Sequence, residues 1–458
     1  MLFAGIDWAD RWLDIAVLDK AGQLLLEQRI VYATTSDPVA AYLALLKPLD
    51  RRWRSAVTGI EEVGLPFTRA LSATGMRVVH VDPTKAARHR TALGIPKSDR
   101  ADARMIADLV RRGVAWPVVD STPQSQALRV VTHAHRAAVS DRMAAAHALR
   151  AALSRSWPAA ITAWPATRGG LGSPQALAVL LSAPGPRAAS RLTRADLADL
   201  LRGAGRTRGT ELEAERLHLH FARPAMLLDP LLEDAEAIRI ADLTATLAAA
   251  VDRAARLEVH SAEHYARQQH HHITAGIPGI GSILGAQLLA EIGDRPAARF
   301  ENGRALAAYA GVSPVTWASG VTTRVSLRRA SSILLRSTLH LAAFSWSMHS
   351  PGAQAYYRKR REAGDAHATA LRKLGRKLTL CLYHCMTTQT RYDDASAFGY
   401  APGEAAALGR RPPLGDDEIV QAWNLLQLPG STLAAVGRAL GVSAHTIRRH
   451  VLGEPRYG

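Results

Sequence analysis

Lysine is scarce in this chain. Of its 57 basic residues only seven are lysines (Lys20, Lys47, Lys85, Lys97, Lys359, Lys373 and Lys377), so 50 are arginines. Cysteine is scarcer: Cys381 and Cys385 are the only two, which excludes a disulfide framework and fits a reducing cytoplasm. No stretch approaches the roughly 18 apolar residues of a membrane span. The first residues carry Asp7, Asp10 and Asp14 where a secretory signal would need an apolar run. Acids number 40 against 57 bases, leaving a net charge of +17 and a pI of about 10.5. Such an excess calls for a polyanionic partner such as nucleic acid. The expectation is a bacterial cytoplasmic, nucleoid-associated protein with no membrane partner. Its 458 residues allow roughly two to four domains.

Four acids stand out among the first hundred residues. Asp7 closes the apolar run Phe3-Ala4-Gly5-Ile6, and Glu61 follows Val57-Thr58-Gly59-Ile60. Asp99 and Asp102 lie three apart in Lys97-Ser98-Asp99-Arg100-Ala101-Asp102-Ala103, at a helix start and on one helix face. Carboxylates at the ends of adjacent strands and on a helix are a means of holding Mg²⁺ against a phosphate, because hard cations take oxygen ligands. Mn²⁺ is the alternative ion. Glu62, beside Glu61, is a substitute on spacing alone.

Around these acids, residues 1 to about 118 alternate strand and helix signals. Leu2–Asp7, Leu13–Leu18 and Leu24–Val31 read as strands, the last two joined by a turn at Lys20-Ala21-Gly22. Pro38–Leu46 reads as a helix, Ser55–Ile60 and Arg77–Val81 as strands, and Asp102–Arg112 as an amphipathic helix. A three-strand meander followed by such alternation resembles the ribonuclease-H-like fold in its RuvC-like branch. The expected fold class is therefore α/β plus all-α, with a metal-binding domain over residues 1–120. Residues 121–272 are expected to be a helical coiled-coil region carrying an insert at about 157–225, although the apolar period is too irregular to fix heptads.

Over residues 273–395 the spacing suggests a mostly helical domain. Gly276-Ile277-Pro278-Gly279-Ile280-Gly281 before Leu284–Ile292 has the pattern of a helix-hairpin-helix. There Gly279 and Gly281 would let backbone N–H groups approach a DNA phosphate. Arg324, Arg328, Arg329 and Arg336 follow without an intervening acid, and a second basic run occupies residues 357–377; both favour phosphate contact. Residues 412–458 form a separate module. Thr432–Ser443 leads through Gly441 into Ala444–His450, a helix-turn-helix with His445, Arg448 and Arg449 on the DNA-reading helix.

With these residues assembled, the chain resembles the DEDD transposases of the insertion-sequence one-ten family, RNA-guided serine recombinases of mobile elements. The resemblance rests on Gly-Ile-Asp7, Glu61 three residues before Gly64, Lys-Ser-Asp99-Arg-Ala-Asp102-Ala-Arg, Ile-Pro-Gly-Ile-Gly at 277–281, Ala-Tyr-Ala-Gly-Val-Ser-Pro at 308–314 and Ser319-Gly320. It covers residues 1 to about 390. It implies that Asp7, Glu61, Asp99 and Asp102 are the metal-binding set and that Ser319 is the nucleophile. It further implies donor and target DNA as substrates, a structured guide (bridge) RNA as partner, and a homodimer or homotetramer.

Other groups have simpler readings. His270, His271 and His272 point in different directions on a helix, which favours a solvated run over a metal site. Cys381 and Cys385 sit in an apolar setting that favours packing. Nothing places Tyr356 or Tyr357 near the acids. Two alternatives remain open from the residues: a metal-only junction nuclease in which Ser319 is structural, and a non-catalytic DNA-binding regulator.

Overall fold

The computed structural model describes the chain apart from residues 63, 119–120, 224–227, 320–321, 327, 329–330, 402–415, 428–430, 441–446 and 448–458. It divides into two units, Met1–Asp120 and Ser121–Gly458.

In the first unit β1 (Phe3–Trp8), β2 (Trp12–Leu18) and β3 (Leu24–Val31) form an antiparallel meander. β4 (Val57–Ile60) runs parallel to β1, and β5 (Arg77–His80) parallel to β4. A short β6 (Trp116–Pro117) pairs antiparallel with β5, so the sheet order is β3-β2-β1-β4-β5-β6. This mixed sheet is consistent with the ribonuclease-H-like expectation. Helices cover both faces, which is why the central strands read as continuous apolar runs. On one face α1 (Pro38–Leu46) and α2 (Pro66–Ala73) bury Tyr42, Leu46, Phe67 and Leu71 against Ile6, Ile15 and Ile60. On the other, α3 (Pro83–Ala92) and α4 (Asp99–Arg111) bury Ala86, Ile106, Leu109 and Val110 against Val57 and Val79.

A pair of adjacent glycines sets the depth of α4. Gly5 and Gly59 are register partners on β1 and β4. A Cβ on Gly5 would lie 2.1 Å from the Ala103 carbonyl oxygen, and one on Gly59 would lie 2.4 Å from a Val110 methyl. Backbone therefore meets backbone at Gly5 and helix side chains fill the space over Gly59, so the helix lies where strand side chains would have held it off. α2, α3 and β6 were not distinguished from the sequence pattern.

The second unit is mostly helical. α5 (Pro123–Ser156) and α11 (Pro230–Ala266) pack together. Their partners advance on one helix as they retreat on the other: Gln268 reaches the Gln124 carbonyl, Thr132 bonds Ser261, and Arg253 pairs with Asp141. The pair is therefore antiparallel. Its buried surface includes Ser125, Thr132, His135, Thr244 and Ser261, which is why no clean apolar heptad is visible. Between them, α6 (Pro158–Ala163), α7 (Pro174–Ser182), α8 (Pro186–Ser190), α9 (Arg194–Gly203) and α10 (Thr210–Phe221) gather a core around Trp157, Trp164 and Phe221.

After α11 the chain builds α12 (His271–Ala275), α13 (Ser282–Ile292), α14 (Pro296–Arg299) and α15 (Gly303–Tyr309). A two-stranded hairpin follows, β7 (Val315–Ser319) and β8 (Thr322–Ser326). Then come α16 (Ile333–His349), α17 (Pro351–Glu362), α18 (His367–Thr388) and α19 (Asp394–Phe398). Trp346, Leu374, Leu378 and Met386 centre this core, to which Leu128 of α5 and Tyr265 of α11 also belong. In the tail, Asp416–Leu426 and Leu433–Ala439 are helical and share a small core of Ala422, Val436 and Ile447. No helix among the described residues is long and apolar enough to cross a membrane.

Candidate functional site

The four N-terminal acids meet at the carboxyl ends of the central parallel strands. Ile6 pairs with Ile60, so Asp7 and Glu61 occupy the next level of adjacent strands. Such an edge is where open α/β sheets bind ligands. α4 begins over the same edge. Ser98 caps it by accepting from the Ala101 N–H at 3.2 Å, and Asp99 and Asp102 fill its first turn, where the helix dipole favours negative charge.

Asp7 registers this crowding. Burial raises its pKa, and the charges of Asp102, Asp99, Glu61 and Asp14 raise it further, to about 7. The Glu61 carboxyl is also raised, first by burial and then by Asp102, with Arg90 and Lys97 acting against them. Glu61 thus joins the cluster, whereas Glu62 is exposed and is not among the charges acting on Asp7.

Three residues of the cluster were not singled out from the sequence. Asp14, only 1% exposed, is the cross-strand partner of Asp7 and takes a two-pronged contact from Arg29 at 3.0 and 2.6 Å. Arg29 also stacks 4.1 Å from the Trp12 ring and lies 3.7 Å from Asp99. Arg90 of α3 pairs with Asp102. An acid inside the apolar run Trp12–Leu18 was the one signal available for Asp14; the arginines had none, because their partners lie far away in sequence.

Among the described residues no group of three His, Cys, Asp or Glu side chains is drawn up to hold a metal ion. The reason is visible in the ion pairs. Asp102 is turned to Arg90, and Asp99 to Arg29 and to the Trp12 indole N–H at 3.4 Å. The donor chemistry nevertheless fits a hard divalent cation: all the candidates are carboxylates, and burial together with the neighbouring acids raises the Asp7 pKa to about 7.

In the second unit Ser319 is the exposed last residue of β7 and pairs across the hairpin with Thr322. The two candidate glycines differ. Gly279 has φ +82°, and a Cβ on it would lie 2.8 Å from the Ser345 carbonyl oxygen, so its bareness serves packing against α16. Gly281, just before α13, faces open space and leaves room for a phosphate at the helix start. Arg336 is half-buried and reaches Ser331 Oγ at 3.4 Å, and the Arg328 Nε is buried without a hydrogen-bond partner among the described residues. Arg329, His445, Arg448, Arg449 and the Arg324 side chain lie outside the described residues, as does Gly320.

The solvated reading of the histidine run is corrected at its first member. His270 is 2% exposed and its Nε2 bonds the Asp294 carbonyl at 2.9 Å; His271 packs edge-on against Tyr265. The run straddles a helix start that is folded into the core, so its members face different surroundings. Cys385 is buried in that core, and Tyr357 hydrogen-bonds His367 at 2.7 Å.

Comparison with known proteins adds the following. Residues 4–158 match the DEDD transposase model of IS110 type, and residues 271–358 match the model described as "Transposase IS116/IS110/IS902 family". The "Mini-circle putative transposase for IS117" of Streptomyces coelicolor is 37% identical over 409 residues, covering 87% of this chain and 96% of that protein. The "Insertion element IS900 uncharacterized 42 kDa protein" of Mycobacterium paratuberculosis is 27% identical, covering 86% and 98%. The "Insertion element IS116 uncharacterized 44.8 kDa protein" of Streptomyces clavuligerus is 26% identical, covering 82% and 92%.

Proposed function

This chain belongs to the IS116/IS110/IS902 transposase family, and from that premise we propose that it cleaves and exchanges DNA strands through a covalent link between Ser319 and a DNA phosphate. The observation that carries the reading is the gathering of Asp7, Glu61, Asp99 and Asp102 at one sheet edge, where burial and the neighbouring acids raise the Asp7 pKa. Asp7, Glu61, Asp99 and Asp102 would hold Mg²⁺ or Mn²⁺, which when bound neutralises charge on a phosphate.

Ser319 does the covalent chemistry in this reading. Its Oγ attacks phosphorus, an Oγ–P bond forms, and the bond from phosphorus to the leaving DNA oxygen breaks. The serine proton is released as the leaving oxygen gains one, so the phosphodiester count is unchanged. Attack by a DNA hydroxyl then restores the free serine and joins a new strand without an external energy source. The exposed position of Ser319 at the end of β7 suits a nucleophile that must reach a polymer. Arg324, Arg328, Arg329 and Arg336 would offset charge on the attacked phosphate, and Gly281 would admit a backbone N–H to a neighbouring one.

The tail supports a helix-turn-helix that reads DNA through His445, Arg448 and Arg449. Ile447 is helical and buried against Ala422 and Val436, and a small apolar core of this kind suits such a module. The excess of positive charge also suits a structured guide RNA, and paired strand cuts call for a dimer or tetramer.

The test uses two variants. Ser319→Ala should bind DNA and lose the detergent-stable protein–DNA adduct, whereas Asp7→Asn should lose metal-dependent cleavage. A Ser319→Ala protein that still recombines DNA would sink the serine mechanism and leave the metal-only nuclease. Sequencing of RNA co-purified with the protein should return one structured species; a random mixture would remove the guide.

A further inference from the structure

The hairpin that carries Ser319 is tied at its base by a closed ring of hydrogen bonds that begins and ends at one buried acid. Glu291, on α13, is 4% exposed. Its Oε2 accepts from Ser332 Oγ at 3.1 Å. The Ser332 N–H donates to the Tyr309 carbonyl at 2.8 Å. The Tyr309 hydroxyl accepts from Arg299 Nη2 at 2.9 Å, and Arg299 Nη1 returns to the Glu291 carbonyl oxygen at 2.6 Å.

Two members of this ring flank the hairpin. Tyr309 ends α15, ahead of β7, and Ser332 follows β8 as the N-cap of α16, accepting from the Leu335 N–H at 3.1 Å. The stems also touch at a second level. Gly311 has φ +70°, and a Cβ there would lie 2.5 Å from Ser331 Oγ. The acid itself is anchored to α5, because His133 Nε2 lies 2.7 Å from Glu291 Oε1.

A carboxylate buried this deeply is costly unless charged or hydrogen-bonding partners compensate. Here burial pushes the Glu291 carboxyl up. The His133 hydrogen bond, the Arg129 and His133 charges and the Ser332 hydrogen bond outweigh it, so the group stays charged. Ordinary packing at this junction of α5, α13 and α16 would have been served by an apolar side chain. Here the Glu291 carboxylate holds the Ser332 stem and its main-chain carbonyl holds the Tyr309 stem through Arg299, which fixes the direction of each, because hydrogen bonds are directional where apolar contacts are not.

We propose that Glu291 is a positioning residue that clamps the base of the β7–β8 hairpin and so holds Ser319 in register for attack. The inference rests on the reading of Ser319 as nucleophile, and its test separates the two.

The experiment compares full-length wild-type protein with Glu291→Gln, Ser332→Ala and Ser332→Thr. It measures amide hydrogen exchange, melting temperature, DNA affinity and the rate of adduct formation. Glu291→Gln and Ser332→Ala should exchange faster over residues 309–332 and nowhere else. Their adduct rates should fall roughly 10- to 100-fold, the scale on which small misplacements act, with DNA affinity unchanged. Ser332→Thr retains a hydroxyl that can cap and bridge, and should restore the rate.

Faster exchange throughout the second unit with a lowered melting temperature would show that Glu291 only packs. Faster local exchange with an unaltered adduct rate would overturn the positioning role. If Glu291→Gln does not fold, the two Ser332 variants decide. Ser319→Ala is run alongside: an adduct that survives it refutes the nucleophile, while the exchange data still report whether the clamp exists.

Discussion

Asp7 sits where like charges converge, and its response to pH follows from that. Its pKa is about 7 in the folded chain against an ordinary 3.8, so the folded state keeps a proton that the unfolded state releases. The stability this contributes is complete below about pH 4 and is lost as pH rises through about 7. The metal-free protein should therefore melt lower at pH 8 than at pH 5. Asp7→Asn removes the group and should raise the melting temperature at pH 8 by a few degrees while flattening that dependence; scanning calorimetry across the range reads both. Millimolar Mg²⁺ or Mn²⁺ should raise the wild-type melting temperature at pH 8, since a ligand of the folded state stabilises it by mass action. The same ion should leave Asp7→Asn nearly unmoved, and an equal gain in both proteins would remove Asp7 from the ion's ligands. Of the cluster, Asp7, Glu61, Asp99 and Asp102 were legible in the sequence, because each stands beside a local signal: a strand end or a helix cap. Asp14, Arg29 and Arg90 were not, because a buried ion pair is defined by its partner across the fold.

At the scale of elements, the decisive contact is between α4 and the strand pair β1 and β4. Gly5 and Gly59 lie side by side; helix backbone occupies the space a Gly5 side chain would fill, and the Val110 and Ile106 methyls occupy that of Gly59. Gly5→Ala should lift α4 from the sheet. It should cost at least the roughly 1–3 kcal/mol of core overpacking, because the obstructing atom is backbone and cannot rotate away. The same change should weaken Mn²⁺ binding, since Asp99 and Asp102 ride on that helix; calorimetric titration reads the loss, and unaltered binding would show that the acids do not depend on its seating. The three strands of the meander, α1 and the start of α4 could be read from alternation, turn residues and capping. The α5–α11 pairing resisted heptad analysis for a physical reason: its interface is held partly by Thr132, Ser261 and small residues instead of a regular apolar seam.

For the whole molecule, a net charge of +17 predicts a steep dependence of nucleic-acid binding on salt. The logarithm of the binding constant should fall linearly with the logarithm of salt concentration, with a slope of about −0.9 per phosphate neutralised on duplex DNA. Fluorescence anisotropy at several salt concentrations measures it, and a slope near zero would show that the charge is not spent on phosphate. Composition, strand and helix periods and the order of short motifs were determined by the sequence alone, since each depends on residues a few positions apart. That was enough for the mixed sheet, the helical remainder and the transposase family. Only the tertiary structure decided which charges neutralise the acids, that Gly279 serves packing while Gly281 stays open, and that Glu291 closes a ring through Ser332, Tyr309 and Arg299. Those facts depend on side chains distant along the chain meeting in a dense interior, and no local pattern specifies which partner a buried group will meet.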